Sequence, residues 1–161
     1  MANETDTTAG KRNTPSFIYG DLLVARIQDV SDTLMRKTDA LLRKNVGIGV
    51  NEWRVLAAIA ATPHASAQIV VAETGLDKSW VSRLIHSLSQ RALVRSEPDS
   101  SDARRKRLTL TDEGKSVLNS AITAVRGLQG QLLNGFTATE HEALPRLLSR
   151  LQREMNIQSD T

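Results

Sequence analysis

Cysteine is absent from the 161 residues, and aromatic side chains make up only 3% of them. The first absence excludes disulfides, thiolate metal ligands and cysteine nucleophiles. The scarcity of aromatic rings requires an aliphatic core, which favours packed amphipathic helices. No uninterrupted apolar run approaches the roughly 18 residues that a membrane span requires. We therefore expect a helical, cytoplasmic protein with no membrane partner.

The N-terminal sequence MANETDTTAGKRNT contains no apolar segment of the kind that a secretory signal needs. It is also too polar to pack, so residues 1–15 are expected to form a disordered arm.

Positive charge is concentrated in one segment of the chain. The segment from Asp77 to Thr111 holds eight cations and four anions, a net charge of +4, while the rest carries −1. A local basic segment on a near-neutral body is typical of nucleic-acid binders, although a solvated charged surface has the same composition.

Apolar residues recur at three- and four-residue steps and predict a mostly helical fold. Predicted N-caps are Asn51, Ser66, Asp77 and Thr111, and Thr137 with Glu140 forms a capping box. The predicted helices run over 16–43, from Asn51 to Thr62-Pro63, from Ser66 to Thr74-Gly75, from Asp77 to Arg91, from Thr111 to Leu133, and onward from Thr137. Pro145 is expected either to bend the last helix or to delay its start.

A change of period between the fourth and fifth helices predicts a small hairpin. Residues 93–96 and 107–110 have the composition of short strands, and residues 98–102 have turn chemistry. The hairpin follows two helices joined by a short glycine-containing turn, so the layout is a helix-turn-helix with a β-hairpin wing.

The second helix of this pair presents polar residues near its N-terminus, where free N–H groups suit phosphate. Serine hydroxyls contact phosphates or base edges, and arginine binds guanine through two hydrogen bonds. Trp80 is expected to contact a thymine methyl or a sugar, or to pack against the hairpin. His86 is either a phosphate contact or a neutral surface histidine. The candidate DNA-binding residues here are Ser66, Lys78, Ser79, Trp80, Ser82, Arg83 and His86.

The distal arm of the hairpin adds Asp102, Arg104, Arg105 and Lys106 to these candidates. In a winged helix such an arm lies along the DNA and inserts an arginine into the minor groove. Asp102 and Arg104 are two residues apart, so an extended arm places them on one face, where the carboxylate orients the guanidinium. The alternative is a solvent-exposed ion pair of little energetic value.

These motifs together resemble the signature of MarR-family transcription regulators. The matching stretches are Gly75-Leu76-Asp77-Lys78-Ser79-Trp80-Val81-Ser82-Arg83-Leu84-Ile85, Leu93-Val94-Arg95, Asp102-x-Arg104 and Leu108-Thr109-Leu110-Thr111-x-x-Gly114. The resemblance implies a homodimer that binds pseudo-palindromic duplex DNA, with the first and last two helices forming the dimerisation lobe. It also implies a regulator, expected to repress, whose DNA affinity is lowered by a small, often anionic aromatic effector. Trp80 stands where the family usually has a small residue.

Apolar stripes on the first and last helices independently predict a dimer, since long uncovered stripes mark interfaces. In the last helix the stripe comprises Leu144, Leu147, Leu148, Leu151 and Met155. Two-fold symmetry would place two recognition helices roughly 34–36 Å apart, one turn of DNA. The predicted organisation is a dimerisation helix over 16–46, a winged helix-turn-helix over 50–111 and dimerisation helices over 112–157.

An effector pocket needs apolar walls and a few polar groups. The candidates are Phe17, Tyr19, Arg26, Trp53 and His64, although each has an ordinary explanation as core or surface. No cofactor, metal site or enzymatic activity is expected, because the three histidines lack ligand spacing and no glycine-rich phosphate loop or nucleophile elbow occurs. The alternative function is a winged-helix dimer that binds a protein partner without recognising DNA sequence.

Overall fold

The computed structural model describes residues 22–98 and 106–157, which form six helices and one antiparallel hairpin. The helices are α1 (Leu23–Val46), α2 (Val50–Ala61), α3 (Ala67–Thr74), α4 (Lys78–Gln90), α5 (Asp112–Leu132) and α6 (Ala138–Ile157). The strands are β1 (Val94–Pro98) and β2 (Lys106–Leu110). The predicted fold class, a mostly helical winged helix with a small hairpin, is confirmed.

The chain divides into two compact units, residues 1–36 and residues 37–161, so the boundary falls inside α1. In the first unit, α1 presents large apolar side chains to solvent, with Leu23, Val24 and Val30 each at least 67% exposed. In the second unit, apolar residues from the end of α1, from α2 to α5 and from the hairpin form one core. Its fully buried members include Leu42, Leu56, Val81 and Leu88.

Four of the predicted helix starts are confirmed by hydrogen bonds to side chains. Ser66 Oγ accepts from Ile69 N, Asp77 caps α4, and Thr111 Oγ1 accepts from Gly114 N at 3.0 Å. At α6 the capping box is reciprocal, since Glu140 Oε2 accepts from Thr137 N and Thr137 Oγ1 accepts from Glu140 N. Each of these partners lies within three residues, which is why the sequence pattern identifies them.

The predicted cap of α2 is wrong. Asn51 lies inside the helix, which begins at Val50 after the N-cap residue Gly49. The Val50 N–H donates to Asp39 Oδ1 at 2.8 Å, and the Gly49 N–H donates to Glu52 Oε2 at 2.7 Å. A carboxylate from α1 therefore takes the place of a local cap.

The hairpin pairs Val94 with Leu110 at its base and Pro98 with Lys106 at its described end. Pro98, predicted in the turn, instead ends β1, a position that tolerates the missing N–H of proline. Leu108 N donates to the carbonyl of Ala65 at 2.8 Å, which fixes β2 to the segment before α3. The remaining predicted turn and wing residues, 99–105, lie outside the described ranges.

Pro145 lies inside α6, seven residues after its first residue, so the prediction of a delayed start is wrong. The capping box at Thr137 stabilises the first turn before the proline is reached, and Pro145 removes only the N–H that His141 would have bonded. In the described residues, no helix is both long and apolar enough to cross a membrane.

Candidate nucleic-acid interface

Helix α4 has one buried apolar side and one exposed polar side. Val81, Leu84 and Leu88 are buried in the core, as their spacing predicts. The exposed side carries the sequence-predicted DNA-binding residues of this helix, namely Lys78, Ser79, Trp80, Ser82, Arg83 and His86. The helix therefore presents two basic side chains, hydroxyls, an imidazole and an indole from a rigid base.

The N-terminus of α4 is less available to phosphate than the sequence argument assumes. Asp77 Oδ1 accepts from Ser79 Oγ at 2.6 Å, from Ser79 N at 2.8 Å and from Trp80 N at 3.1 Å. The Ser79 hydroxyl, followed by the Trp80 N–H, holds the pKa of Asp77 below its usual value. The cap thus occupies two N–H groups and adds a negative charge where positive potential was expected.

The same cap limits what Ser79 can recognise. A hydroxyl has one hydrogen to donate, and Ser79 donates it to Asp77. Its oxygen keeps lone pairs, so Ser79 can accept a hydrogen bond from an amino group on a base edge. It cannot also donate to a phosphate oxygen while the cap is formed.

Trp80 lies beside Arg83 one turn later on the helix. The guanidinium carbon of Arg83 is 5.0 Å from the centre of the indole ring, within the range of a cation–π contact. Both side chains line a cavity of about 350 Å³ whose other walls include Asp39, Asn51 and Glu52. No described residue of the hairpin lines this cavity. The lining therefore does not support the expectation that Trp80 packs against the hairpin.

A second cavity, of about 600 Å³, lies between α3, α4 and the hairpin. Its lining brings together four sequence-predicted DNA-binding residues, Ser66, Ser82, His86 and Lys106, with Gln68 and Ser96, which the sequence analysis did not single out. The first N–H groups of α3 have no partner within that helix, and its cap is the neutral Ser66 rather than a carboxylate. This cleft is therefore better suited to an anion than the start of α4.

Arg91 fixes the other end of α4. Its two terminal nitrogens bind Glu52 Oε1 and the carbonyl of Gly47, each at 3.0 Å. Glu52 also accepts from Gly49 N, so one carboxylate joins the α1–α2 corner to α4. Sequence reasoning missed Arg91, Glu52 and Asp39 as positioning residues, because the contacts that join separate elements, Asp39 to Val50, Arg91 to Glu52 and Arg91 to Gly47, span 11 to 44 residues.

The wing candidates are only partly within the described ranges. Lys106 is exposed at the start of β2 and lines the cleft beside α4. Asp102, Arg104 and Arg105 lie outside the described residues.

The effector candidates within the described residues, Arg26, Trp53 and His64, line neither of the two cavities. The indole of Trp53 packs against the core, and its N–H is buried without an acceptor. His64 is exposed after α2 with a positive φ of 59°, and neither cavity is lined by His64 or Trp53. Arg26 is exposed on α1. Phe17 and Tyr19 lie outside the described residues.

Metal ligands do not cluster in the part of the chain that the structure describes, where no group of three or more histidine, aspartate or glutamate side chains could hold an ion.

Comparison with known proteins gives consistent matches. Residues 46–105, from the end of α1 into the hairpin, match the model of the MarR family. A MarR/EmrR family transcriptional regulator from Acinetobacter sp. ADP1 is 28% identical, with a TM-score of 0.74 over 83% of this chain and 94% of that one. The matched segment covers the helix-turn-helix and the first strand of the wing.

Two further crystal structures contain ligands. PcaV from Streptomyces coelicolor, in complex with its natural ligand, is 25% identical over 82% of this chain and 95% of its own, with a TM-score of 0.68. CouR from Rhodococcus jostii RHA1, bound to p-coumaroyl-CoA, is 24% identical over 84% and 95%, with a TM-score of 0.73.

Proposed function

We propose that this chain is a MarR-family transcription regulator that binds duplex DNA sequence-specifically. It represses transcription while bound, and a small-molecule effector lowers its DNA affinity. The observation that carries the proposal is the exposed face of α4, whose basic and hydroxyl side chains stand beside the basic hairpin. That face has no other partner among the described residues.

We expect the cleft between α3, α4 and the hairpin to contact the DNA backbone. Lys106 and His86 line it with three serine hydroxyls of α4 and β1, and the first N–H groups of α3 open toward the same region. By contrast, the carboxylate of Asp77 stands at the start of α4. We therefore expect phosphates to bind across α3 and the hairpin, and base edges to be recognised by α4.

The salt dependence of DNA affinity tests this assignment of phosphate contacts and base contacts. Each phosphate that a cation neutralises contributes about −0.9 to the slope of log K against log salt. Lys106→Ala should reduce the slope by about one per half-site on every duplex, and Arg104→Ala should do the same if it enters the minor groove. Lys115→Ala, an exposed lysine paired with Asp112 at the start of α5, is the matched control. A folded protein with no duplex affinity at low salt would favour the alternative function, a protein-interaction module.

Base recognition is assigned to Arg83. If it forms two hydrogen bonds to guanine, Arg83→Ala should cost roughly 1–3 kcal/mol and relax the preference at one base pair per half-site. Arg83→Lys keeps the charge but loses the planar pair of donors. Selection from a random duplex pool with wild type and both variants distinguishes the cases. If Arg83→Ala selects the same consensus sequence but binds every duplex more weakly, Arg83 contacts phosphate and does not recognise a base.

We propose a homodimer, because both compact units leave apolar side chains in solvent. In α6 Leu147, Leu148 and Met155 are 57%, 54% and 61% exposed, and Val24 of α1 is 73% exposed. Such stripes need a partner surface, and a second copy of the chain would also supply the second recognition helix of a pseudo-palindromic site. Sedimentation of the purified protein tests the assembly.

An effector with an aromatic ring and an acidic group is the proposed ligand. The buried, unpaired N–H of Trp53 is a donor that an oxygen of such a ligand could satisfy. The other proposed contacts are Phe17, Tyr19, Arg26 and His64. A thermal-shift screen of aromatic acids, repeated on Trp53→Phe, tests this: a compound that stabilises the wild type and releases it from DNA should stabilise the variant less.

A further inference from the structure

The Trp80–Arg83 pair is the most specific side-chain arrangement on the exposed face of α4. The guanidinium lies over the indole at 5.0 Å, and Trp80 keeps 39% of its surface exposed. The ion pairs formed by the described residues do not include Arg83. Among the described residues, the indole contacts the guanidinium, and the carboxylate of Asp77 attracts it electrostatically without forming an ion pair.

A cation–π contact attracts an arginine to the face of a ring, which offers no conventional hydrogen-bond acceptor. The five N–H donors of the guanidinium are therefore not used up by the contact. A carboxylate partner would instead occupy those donors and compete with a base or a phosphate. An arginine that is already ordered loses less rotamer entropy when it binds.

We infer that Trp80 is a positioning residue for Arg83: it keeps the guanidinium ordered while leaving its N–H donors free to bind DNA. The inference rests on the proposed DNA-binding function and makes Trp80 act through Arg83 rather than through its own contact with DNA. The side chains that face the pair across its cavity include Asp39 and Glu52, and both carboxylates already accept other hydrogen bonds. Asp39 and Glu52 instead form ion pairs with Arg43 and Arg91.

The size of the effect follows from the exposure of the pair. Cation–π contacts at exposed sites correspond to about two- to fivefold in an equilibrium constant. A dimer uses two such pairs, so Trp80→Leu should weaken binding to the selected duplex by about 4- to 25-fold. Trp80→Phe keeps an aromatic face and should lose less than Trp80→Leu.

A double-mutant cycle on the duplex selected by the wild type tests the inference. In the wild-type background, Trp80→Leu should lower the affinity for the duplex. In the Arg83→Ala background it should change that affinity by less than about twofold, because the side chain through which Trp80 acts is absent. An equal loss in both backgrounds would overturn the inference and make Trp80 a direct DNA contact or a structural residue. Thermal melting of each variant shows whether folding is retained.

A spectroscopic measurement reports the pair without DNA. With 5-fluorotryptophan incorporated, the protein has two ¹⁹F resonances, and the one missing in Trp80→Leu belongs to Trp80. Arg83→Ala should shift that resonance and leave the Trp53 resonance in place, and an unmoved Trp80 resonance would overturn the inference. If the wild type binds no duplex, the proposed function fails first; if it binds and the cycle is additive, only the role of Trp80 fails.

Discussion

Gly114, in the first turn of α5, is the position where one added methyl group should matter most. A Cβ there would overlap the carbonyl oxygen of Leu93 and lie 3.0 Å from the carbonyl carbon. The same carbonyl accepts from Thr111 N at 3.1 Å, and Thr111 Oγ1 donates to the carbonyl of Ala92 at 2.6 Å. The start of α5 is thus bound to backbone that cannot rotate away as a side chain would.

The cost of Gly114→Ala follows from these contacts. The Cβ would lie 2.0 Å from the carbonyl oxygen, and real Cβ contacts are essentially never below 3.0 Å, so the helix must retreat by at least about 1 Å. Overpacking of this kind costs about 1–3 kcal/mol, and each weakened hydrogen bond adds about 0.5–1.5 kcal/mol. The higher helix propensity of alanine offsets up to about 1 kcal/mol of this destabilisation. We expect a net loss of about 2–4 kcal/mol.

Thermal unfolding at one fixed protein concentration measures this loss, since association would make the midpoint concentration-dependent. A loss of that size lowers Tm by about 4–16 °C in a chain of this length. Gly127→Ala is the matched control, because a Cβ at this position of the same helix meets no atom within 4 Å. The control should be neutral or slightly stabilising. Equal melting of Gly114→Ala and wild type would refute the close approach at Leu93.

Two further predictions concern assembly and pH. Leu148→Asp should give a monomer by sedimentation that has lost tight DNA binding, because a carboxylate buried at the interface costs several kcal/mol; a variant that stays dimeric would show that this stripe is not the interface. The Arg43 side chain, followed by the Val50 N–H, lowers the pKa of Asp39, so its stabilising contribution is present above its unfolded pKa of about 3.8 and is lost as the pH falls through the lower folded value. Urea midpoints at pH 6 and pH 3 should therefore differ less in Asp39→Asn than in wild type, and an equal difference would contradict the linkage.

Local patterns account for the elements that the sequence predicts well. Ser66, Asp77, Thr111 and Thr137 cap their helices with partners two or three residues away, so spacing alone identifies them. The buried stripe of α4 follows equally from its helical period. The candidate surface of α4 follows too, since residues off that stripe must face away from the core.

Long-range contacts account for what the sequence could not predict. Asp39 replaces Asn51 as a partner at the start of α2 because α1 happens to pass that point, and no local pattern encodes this. Asp77 is recognisable as a cap, yet only the structure shows that it occupies the N–H groups expected to meet phosphate. The spacing of Trp80 and Arg83 did carry a signal, since residues three apart on a helix are neighbours.

Arg91 couples the C-terminal end of α4 to the corner between α1 and α2, while Val81 and Leu84 pack the other half of the helix into the core. Its C-terminal end is held to Gly47 and Glu52, while its exposed N-terminal end lies 13 residues away, about 20 Å along the axis. A tilt of about 6° at the fixed end therefore moves the side chains around Lys78 by about 2 Å, more than a hydrogen bond to a base edge tolerates. A rotation of the corner between α1 and α2 that carries α4 and the core packed against it would thus produce its largest displacement where the helix would meet DNA.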